Sequence, residues 1–222
     1  MAARDGVPPV SQPVRVRRVQ PGDGQALIDF YARLSEETRY ARFLGFSRGL
    51  SEQAARSFCT PDHMHVEGFV AVTADDQGSD QLLGHLCLEE AGDRRLELAV
   101  AVDDRHQGRG IGRRLMDAAL EWAQQHHFEA IIASAFVDNA RVLRLMSAAP
   151  YPVHIAPADG GIVDVVIPLV PELLPDRPVV VPAELLASRL RRRAGRQRPI
   201  NASRCSRVVW RGTRRPGRDA GG

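Results

Sequence analysis

Gln107-Gly108-Arg109-Gly110-Ile111-Gly112 is the stretch that decides how this chain is interpreted. It follows a strand-like run at 95–102 and leads into residues 111–126, where apolar side chains recur at helical spacing. A glycine-rich turn at the start of a helix presents unpaired backbone N–H groups and the positive end of the helix dipole, and both favour an anion. The stretch is therefore a candidate phosphate-binding loop.

Two other kinds of phosphate-binding loop do not fit these residues. A Walker loop needs a lysine, and the chain contains none. A dinucleotide fingerprint that begins at Gly108 would need glycine at position 113, where the chain has Arg113. The strands before the loop also look antiparallel, which does not suit a βαβ unit. What does fit is the pattern Q/R-x-x-G-x-G/A.

Outward from the loop, hydrophobic periodicity and turn residues predict the element order β-α-α-β-β-β-α-β-α-β. The three central strands, separated by short turn-like segments, predict an antiparallel meander. The predicted strands lie at 14–19, 66–73, 82–89, 95–102, 130–137 and 162–169, and the predicted helices at 23–34, 51–59, 111–126 and 138–149.

Composition predicts one folded domain, residues 14–170, between a disordered N-terminus at 1–13 and a largely disordered Pro/Arg-rich tail at 171–222. Residues 1–170 carry 17 Arg against 23 Asp and Glu, whereas residues 171–222 carry 13 Arg against 4. The tail invites a nucleic-acid hypothesis, but Trp210 is its one aromatic residue, so we interpret it as a solvated extension.

Neither a signal peptide nor a membrane span is evident, which predicts a cytoplasmic protein without a membrane partner. Three cysteines without metal-ligand spacing indicate reduced thiols. His63 and His65 form an HxH pair without an evident third ligand, so we expect no metal.

Gln107, Gly110 and Gly112 occupy the signature positions of Q/R-x-x-G-x-G/A, and here the chain resembles the GNAT superfamily of acyl-CoA N-acyltransferases. The resemblance runs from about 14 to 169. It looks closest to bacterial protein lysine acetyltransferases of the Pat type, through LSEETRYARF (34–43), LELAV (96–100) and DGGIV (159–163). The implied architecture is a mixed α/β (α+β) GNAT fold, in which four helices flank a mostly antiparallel sheet of about six to seven strands.

The resemblance also implies that acetyl-CoA is the cosubstrate, bound between splayed central strands. It places the pyrophosphate on the glycine loop and the pantetheine arm along β-strand backbone, where N–H groups polarise the thioester carbonyl. Asn139 matches the asparagine that bonds this arm, although it could equally be a helix N-cap, and Arg113 could reach a phosphate or remain solvated. The implied cofactor residues are Leu98, Ala99, Val100, Ala101, Val102, Gln107, Gly108, Arg109, Gly110, Ile111, Gly112, Arg113 and Asn139.

Catalysis requires a base, because an amine must lose its proton before it attacks a thioester. The resemblance aligns Glu97 with the glutamate proposed as general base in Pat-type enzymes; the alternative is an ordinary solvated glutamate. Ala99 and Ala101, on the same side of the strand, are expected to leave open space beside it. We hypothesise that partial desolvation raises the pKa of Glu97.

A general acid for the leaving thiolate is harder to identify. Many GNAT enzymes have a tyrosine seven residues after the asparagine, and here that position is Met146. Tyr151 is the nearest phenol and the candidate acid; water is the alternative. The predicted activity is acetyl transfer by direct attack of an amine, and the predicted acceptor is a protein lysine. A small-amine acetyltransferase and a non-catalytic acyl-CoA sensor stay open, as does the oligomeric state.

Overall fold

The structure is a computed structural model, and it describes residues 13–74, 79–157 and 159–170. The predictions of disorder for residues 1–13 and 171–222 therefore fall, apart from Pro13, outside the described residues. Within the described residues there are seven strands, five α-helices and three short 3-10 turns. In chain order the strands and α-helices are β1 (Arg15–Arg18), α1 (Gly24–Arg33), α2 (Glu36–Phe43), α3 (Glu52–Cys59), β2 (Val66–Ala74), β3 (Asp80–Glu90), β4 (Arg95–Val102), α4 (Ile111–Gln125), β5 (Ala130–Phe136), α5 (Ala140–Ser147), β6 (His154–Pro157) and β7 (Ile162–Pro168).

All seven strands belong to one sheet, in the order β1-β2-β3-β4-β5-β7-β6. Neighbouring strands are antiparallel except β4 and β5, which run parallel. The mixed α/β class, the mostly antiparallel sheet and the central meander are confirmed.

The described residues contain five α-helices where four were predicted, and seven strands where the predicted element order has six. The additional helix is α2, which is only eight residues long, although Ser35 followed by two glutamates is an N-cap signal. The additional strand is β6, four residues on the sheet edge that are too short for a clear alternation of apolar and polar side chains.

Two apolar cores lie on opposite faces of the sheet. One core packs the apolar face of α4 against the sheet and includes Leu96 and Leu98 of β4. The other packs α1 and α3 against the sheet and includes Ala101, with Ala99 beside it. Because side chains alternate along a strand, Glu97 shares the α1–α3 face with these two alanines.

The centre of the sheet opens where β4 and β5 separate. Their ladder has three rungs, Arg95↔Ala130, Leu96↔Ile131 and Glu97↔Ile132. Beyond Glu97, β4 remains paired with β3 as far as Val102, and β5 remains paired with β7 as far as Phe136. The facing edges of the two strands therefore diverge into a cleft, as expected for splayed central strands.

Among the described residues, no helix combines the length and apolar character that a membrane crossing requires.

Candidate active site

Besides the sheet backbone, two elements bound the cleft between the diverging strands: the C-terminal end of α2, and α5 with its N-cap. Small side chains from β4 and β5 form its floor. The residues that line it are Ala41, Arg42, Leu44, Glu97, Leu98, Ala99, Val100, Ala133, Ser134, Ala135, Asn139, Val142 and Met146. Predicted site residues from β4 and from the N-cap of α5 therefore meet at one place.

The glycine loop begins α4 with two left-handed residues. Gly108 has φ 74° and Gly110, the N-cap of α4, has φ 80°. A Cβ atom at either position would meet nothing within 4 Å, so glycine is needed here for the backbone conformation and not for space. The N-cap offers no side-chain hydrogen bond and the first turn holds no acidic residue, so the helix N-terminus suits an anion such as the CoA pyrophosphate.

Gly112 has a different role from the other two loop glycines. A Cβ atom there would lie 3.2 Å from Leu145 Cδ2, on α5. The absence of a side chain lets the first turn of α4 lie close to α5, beside the cleft.

The Gln107 side chain is hydrogen-bonded to other residues of the protein on both its nitrogen and its oxygen. Its Nε2 atom lies 3.1 Å from the Val102 carbonyl and 3.3 Å from Thr38 Oγ1. Its Oε1 atom accepts a 2.6 Å hydrogen bond from Arg141 Nη1 on α5. The Gln107 side chain is therefore placed to shape the loop and is not free to contact a phosphate.

The loop arginines differ in their freedom to bind a phosphate. Arg113 donates to Asp117 at 2.7 Å and to the Ala148 carbonyl at 2.6 Å. Arg114 donates to the Val14 carbonyl at 2.7 Å. Arg109 is exposed and, within the described residues, makes no hydrogen bond or ion pair. It is the loop cation best placed to contact a phosphate.

Asn139 caps α5 and also faces the cleft. Its side-chain oxygen accepts a 3.2 Å hydrogen bond from Val142 N, which is the N-cap interaction. The cap leaves the amide nitrogen as the group that would contact a pantetheine arm. The two alternatives for Asn139 are therefore compatible.

Glu97 stands at the last rung of the β4–β5 ladder, half-buried, on the wall of the cleft. Its cross-strand neighbour on β3 is Glu89. The open space expected beside it over Ala101 is instead core, because Ala101 is buried under α1 and α3. The Arg42 side chain, also buried, donates from Nη2 to Cys87 Sγ at 3.1 Å, opposite Ala99.

Residues of α2 both pack the helix and shape the cleft. Tyr40 stacks on Phe136, at the end of β5, with ring centroids 5.1 Å apart and an interplanar angle of 8°. Phe43 contacts the Tyr31 ring of α1. Arg42 and Ala41 line the cleft itself. Sequence analysis quoted residues 34–43 for the family resemblance but did not count Arg42 among the site residues.

Tyr151 does not reach the cleft. Its hydroxyl is hydrogen-bonded to Gln124, near the C-terminal end of α4, and its ring packs against the core on that face. Gln124 lies fourteen residues beyond Gly110, about 20 Å along the helix at 1.5 Å per residue. Met146, the position where a tyrosine was looked for, is buried and lines the cleft.

Asp103 and Asp104, which sequence analysis did not single out, form hydrogen bonds in the segment directly before the glycine loop. Asp103 is buried and accepts hydrogen bonds from Arg105 at 2.9 and 3.1 Å. Burial alone would raise the pKa of Asp104, but hydrogen bonds from Thr38 and Ser35 outweigh it and hold that pKa below its usual value. Their only sequence signal was adjacency to the loop.

Both histidines of the HxH pair contact carboxylates of neighbouring residues. His63 Nδ1 lies 3.0 Å from Glu67, and His65 lies near Asp62 and Glu90. The described residues contain no group of three side chains suited to hold a metal ion.

A mostly antiparallel seven-stranded sheet, splayed beside an uncapped glycine loop, defines a class of acyl-CoA-binding transferases. A family model described as the acetyltransferase (GNAT) family matches residues 27–148. The chain belongs to this family and is an acetyltransferase, with acetyl-CoA as its cosubstrate.

Solved structures show the same fold at low identity. The GNAT domain of PAT from S. lividans matches with a TM-score of 0.62 and 23% identity, over 70% of this chain and 90% of that one. A GCN5-related N-acetyltransferase from Kribbella flavida matches with a TM-score of 0.56 and 22% identity, over 70% and 98%. A putative acetyltransferase from Salmonella typhimurium, solved with its cofactor acetyl-CoA, matches with a TM-score of 0.54 and 17% identity, over 74% and 98%.

Proposed function

We propose that this acetyltransferase acts on an amine, that the amine is a protein lysine, and that Glu97 is the general base. The observation that carries the proposal is the position of Glu97, on the cleft wall where β4 and β5 begin to separate. A carboxylate there lies between α2 and the separated edges of β4 and β5. The glycine loop, at the far end of β4, supplies the anion site for the donor.

The chemistry assigns one task to each group. Acetyl-CoA, when bound, supplies a thioester carbonyl and a thiolate leaving group, and a thiol pKa of about 8.5 makes that departure feasible without a strong acid. Glu97 takes the proton that the acceptor nitrogen must lose to form the amide. Asn139 and the β4 backbone orient the donor, and the α4 N-terminus with Arg109 holds its phosphates. Water is the proton source for the thiolate, since Met146 cannot donate one.

A protein acceptor is supported by charge and by sequence likeness. Residues 1–170 have a net charge of −6, which attracts basic protein segments. The segments at 34–43, 96–100 and 159–163 resemble Pat-type protein lysine acetyltransferases. A protein with this cosubstrate and buried free thiols at Cys59 and Cys87 fits the cytoplasm, which we propose as its location.

One observation favours a second candidate function. Met146 lines the cleft and Tyr151 points away from it, so neither of the two positions considered for the general acid brings a phenol to the cleft. A domain that binds acyl-CoA without turnover, as a sensor, would need none.

The test combines calorimetric titration of CoA with thiol release from acetyl-CoA, using a panel of proteins, peptides and small amines. We expect Glu97→Gln to bind CoA within about twofold of wild type and to lose about 10²- to 10⁴-fold in kcat, the range for a general base. Glu121→Gln, a change on the exposed face of α4, is the matched control and should keep full turnover.

Other outcomes separate the alternatives. Full turnover by Glu97→Gln would remove Glu97 as the base. Turnover of small amines alone would replace the lysine acceptor. CoA binding by wild type without turnover on any panel member would favour the sensor.

A further inference from the structure

Asp104 joins the glycine loop to a helix that is distant in sequence. It begins the 3-10 turn Asp104–His106, directly before the loop. Its Oδ2 atom accepts a 2.8 Å hydrogen bond from Ser35 N. Its Oδ1 atom accepts from Ser35 Oγ at 2.8 Å and from Thr38 Oγ1 at 2.6 Å. All three donors belong to the N-cap and first turn of α2.

The helix that receives these bonds depends on them. An isolated helix of eight residues is not stable in water, because nucleation costs more than so few hydrogen bonds return. The Ser35 hydroxyl also accepts from Thr38 N, so the N-cap itself is held in place by Asp104. At its other end α2 carries the cleft residues Ala41 and Arg42. The placement of the α2 side of the cleft, where we propose that the acceptor binds, therefore depends in part on this carboxylate.

The same turn is bonded to the loop and to the protein interior. Asp103 N donates to the Leu83 carbonyl at 2.9 Å, and its buried carboxylate lies 3.6 Å from Arg33 Nε on α1. On the loop side, Gln107 Nε2 reaches Thr38 Oγ1, and Gln107 Oε1 is held by Arg141 of α5. One connected set of polar contacts thus runs from α2 through Asp104 and Gln107 to α5, along the loop end of the cleft.

We infer that Asp104 is a positioning residue that couples the two substrate sites: an anion held on the loop restrains Asp104, and Asp104 in turn orders α2. The inference rests on the proposed binding of CoA at the glycine loop. Hydrogen bonds to a carboxylate are short and strong, so a displacement of the loop should displace the N-terminus of α2 by a similar distance. Coupling of this kind is reciprocal, so CoA favours acceptor binding to the same extent as the acceptor favours CoA.

Amide hydrogen exchange with added CoA tests the coupling without a known acceptor. In the wild-type protein we expect CoA to slow exchange at least fivefold both in residues 107–114 and in α2, and to leave α3 unchanged. Asp104→Ala removes both carboxylate oxygens, so the bonds from Ser35 N, Ser35 Oγ and Thr38 Oγ1 are all lost. This variant should keep the CoA effect at 107–114 within twofold and lose it in α2. Asp29→Asn, an exposed change on α1, should behave as wild type.

Thr38→Val provides a second variant, which removes the hydroxyl shared by Asp104 and Gln107 but keeps the side-chain shape. It should reduce the CoA effect in α2 but not abolish it, because both bonds from Ser35 to Asp104 remain. The double variant should equal the Asp104 variant alone, which general loosening of the fold would not produce. With the acceptor found in the turnover panel, both variants should raise the acceptor KM about fivefold or more and change kcat less than twofold.

The inference is overturned if CoA protects α2 equally in wild type and in both variants, or if wild type shows protection at 107–114 and none in α2. Absence of any CoA effect at 107–114 in wild type would instead refute the proposed CoA site, and the inference with it.

Discussion

At the residue scale, Tyr151 and Met146 show the limit of counting from a motif. Position 146 was found by counting seven residues from Asn139, and the structure does place it on the cleft. Tyr151 was the nearest phenol in sequence, but the irregular segment after α5 carries it back to α4. Nearness along the chain does not determine direction once a helix has ended.

Tyr151→Phe should therefore have little effect on turnover. We expect kcat within twofold of wild type and a loss of about 1 kcal/mol in the free energy of unfolding, from the hydrogen bond to Gln124. Gln124→Ala, which removes the same bond from the other side, is the control for stability. Thiol-release kinetics and urea unfolding measure both quantities. A tenfold drop in kcat confined to Tyr151→Phe would restore the phenol as the general acid.

Arg109 is the residue on which phosphate affinity should depend most directly. Arg109→Gln removes an exposed cation at the uncapped N-terminus of α4, and we expect CoA to bind about 3- to 10-fold more weakly. The difference should shrink at high salt, because exposed charges are screened. Arg56→Gln, which removes an exposed arginine on α3, should leave CoA affinity unchanged. Equal affinity of Arg109→Gln and wild type at low salt would contradict the assignment.

At the element scale, the loop glycines should respond differently to the same substitution. Gly110→Ala places a side chain at φ 80°, which costs about 1–2 kcal/mol in the left-handed region. Gly112→Ala brings a Cβ to 3.2 Å from Leu145 but gains about 1 kcal/mol of helix propensity, so its net effect on stability should be small. Urea unfolding of the two variants measures the contrast. A Gly112→Ala variant that loses more stability than Gly110→Ala would show that α5 cannot give way.

Most elements of this fold could be predicted from the sequence because their patterns are long. The predicted bounds of β4 agree with the structure, and α4 ends one residue earlier than predicted. Short elements were lost, because α2 and β6 are formed by contacts with the rest of the protein more than by their own residues. The separation of β4 from β5 has no signature in either strand, and only the family resemblance anticipated it.

The candidate site divides in the same way. The glycine loop, Glu97 and Asn139 were located from a motif. The structure places Glu97 and Asn139 on the lining of one cleft and the glycine loop beyond the far end of β4. Asp104 could not be found by that route, since its partners Ser35 and Thr38 lie 69 and 66 residues away along the chain. A polar contact over that distance exists only after the sheet and α2 have formed.

At the scale of the whole molecule, His85 makes the stability sensitive to acid. It is fully buried on β3, and burial, with the charge of Arg42 second, lowers its pKa from 6.5 to about 3. Between these two values the unfolded chain binds a proton that the folded protein does not. Stability should therefore fall as the pH falls from 6.5 towards 3, by up to about 1.4 kcal/mol per pH unit.

The measurement is urea unfolding at several pH values between 7 and 4, which gives the free energy of unfolding against pH. The slope of that free energy should correspond to about one proton fewer in His85→Gln than in wild type, whatever the absolute stability of the variant. His127→Gln, at an exposed position, should keep the wild-type slope. An unchanged slope in His85→Gln would mean that other groups cause the acid sensitivity.

The fixed cations of this surface are all guanidinium groups. Arg17, held in a fork between Asp23 and Asp80, is typical of the ion pairs that link the elements. A guanidinium stays protonated at any physiological pH and is a poor nucleophile, whereas a lysine amine would be a ready target for an acetyl donor. No side chain of this enzyme can therefore become its own acetyl-lysine, and an acetyl-lysine signal in a reaction mixture can be assigned to the acceptor without correction for self-modification.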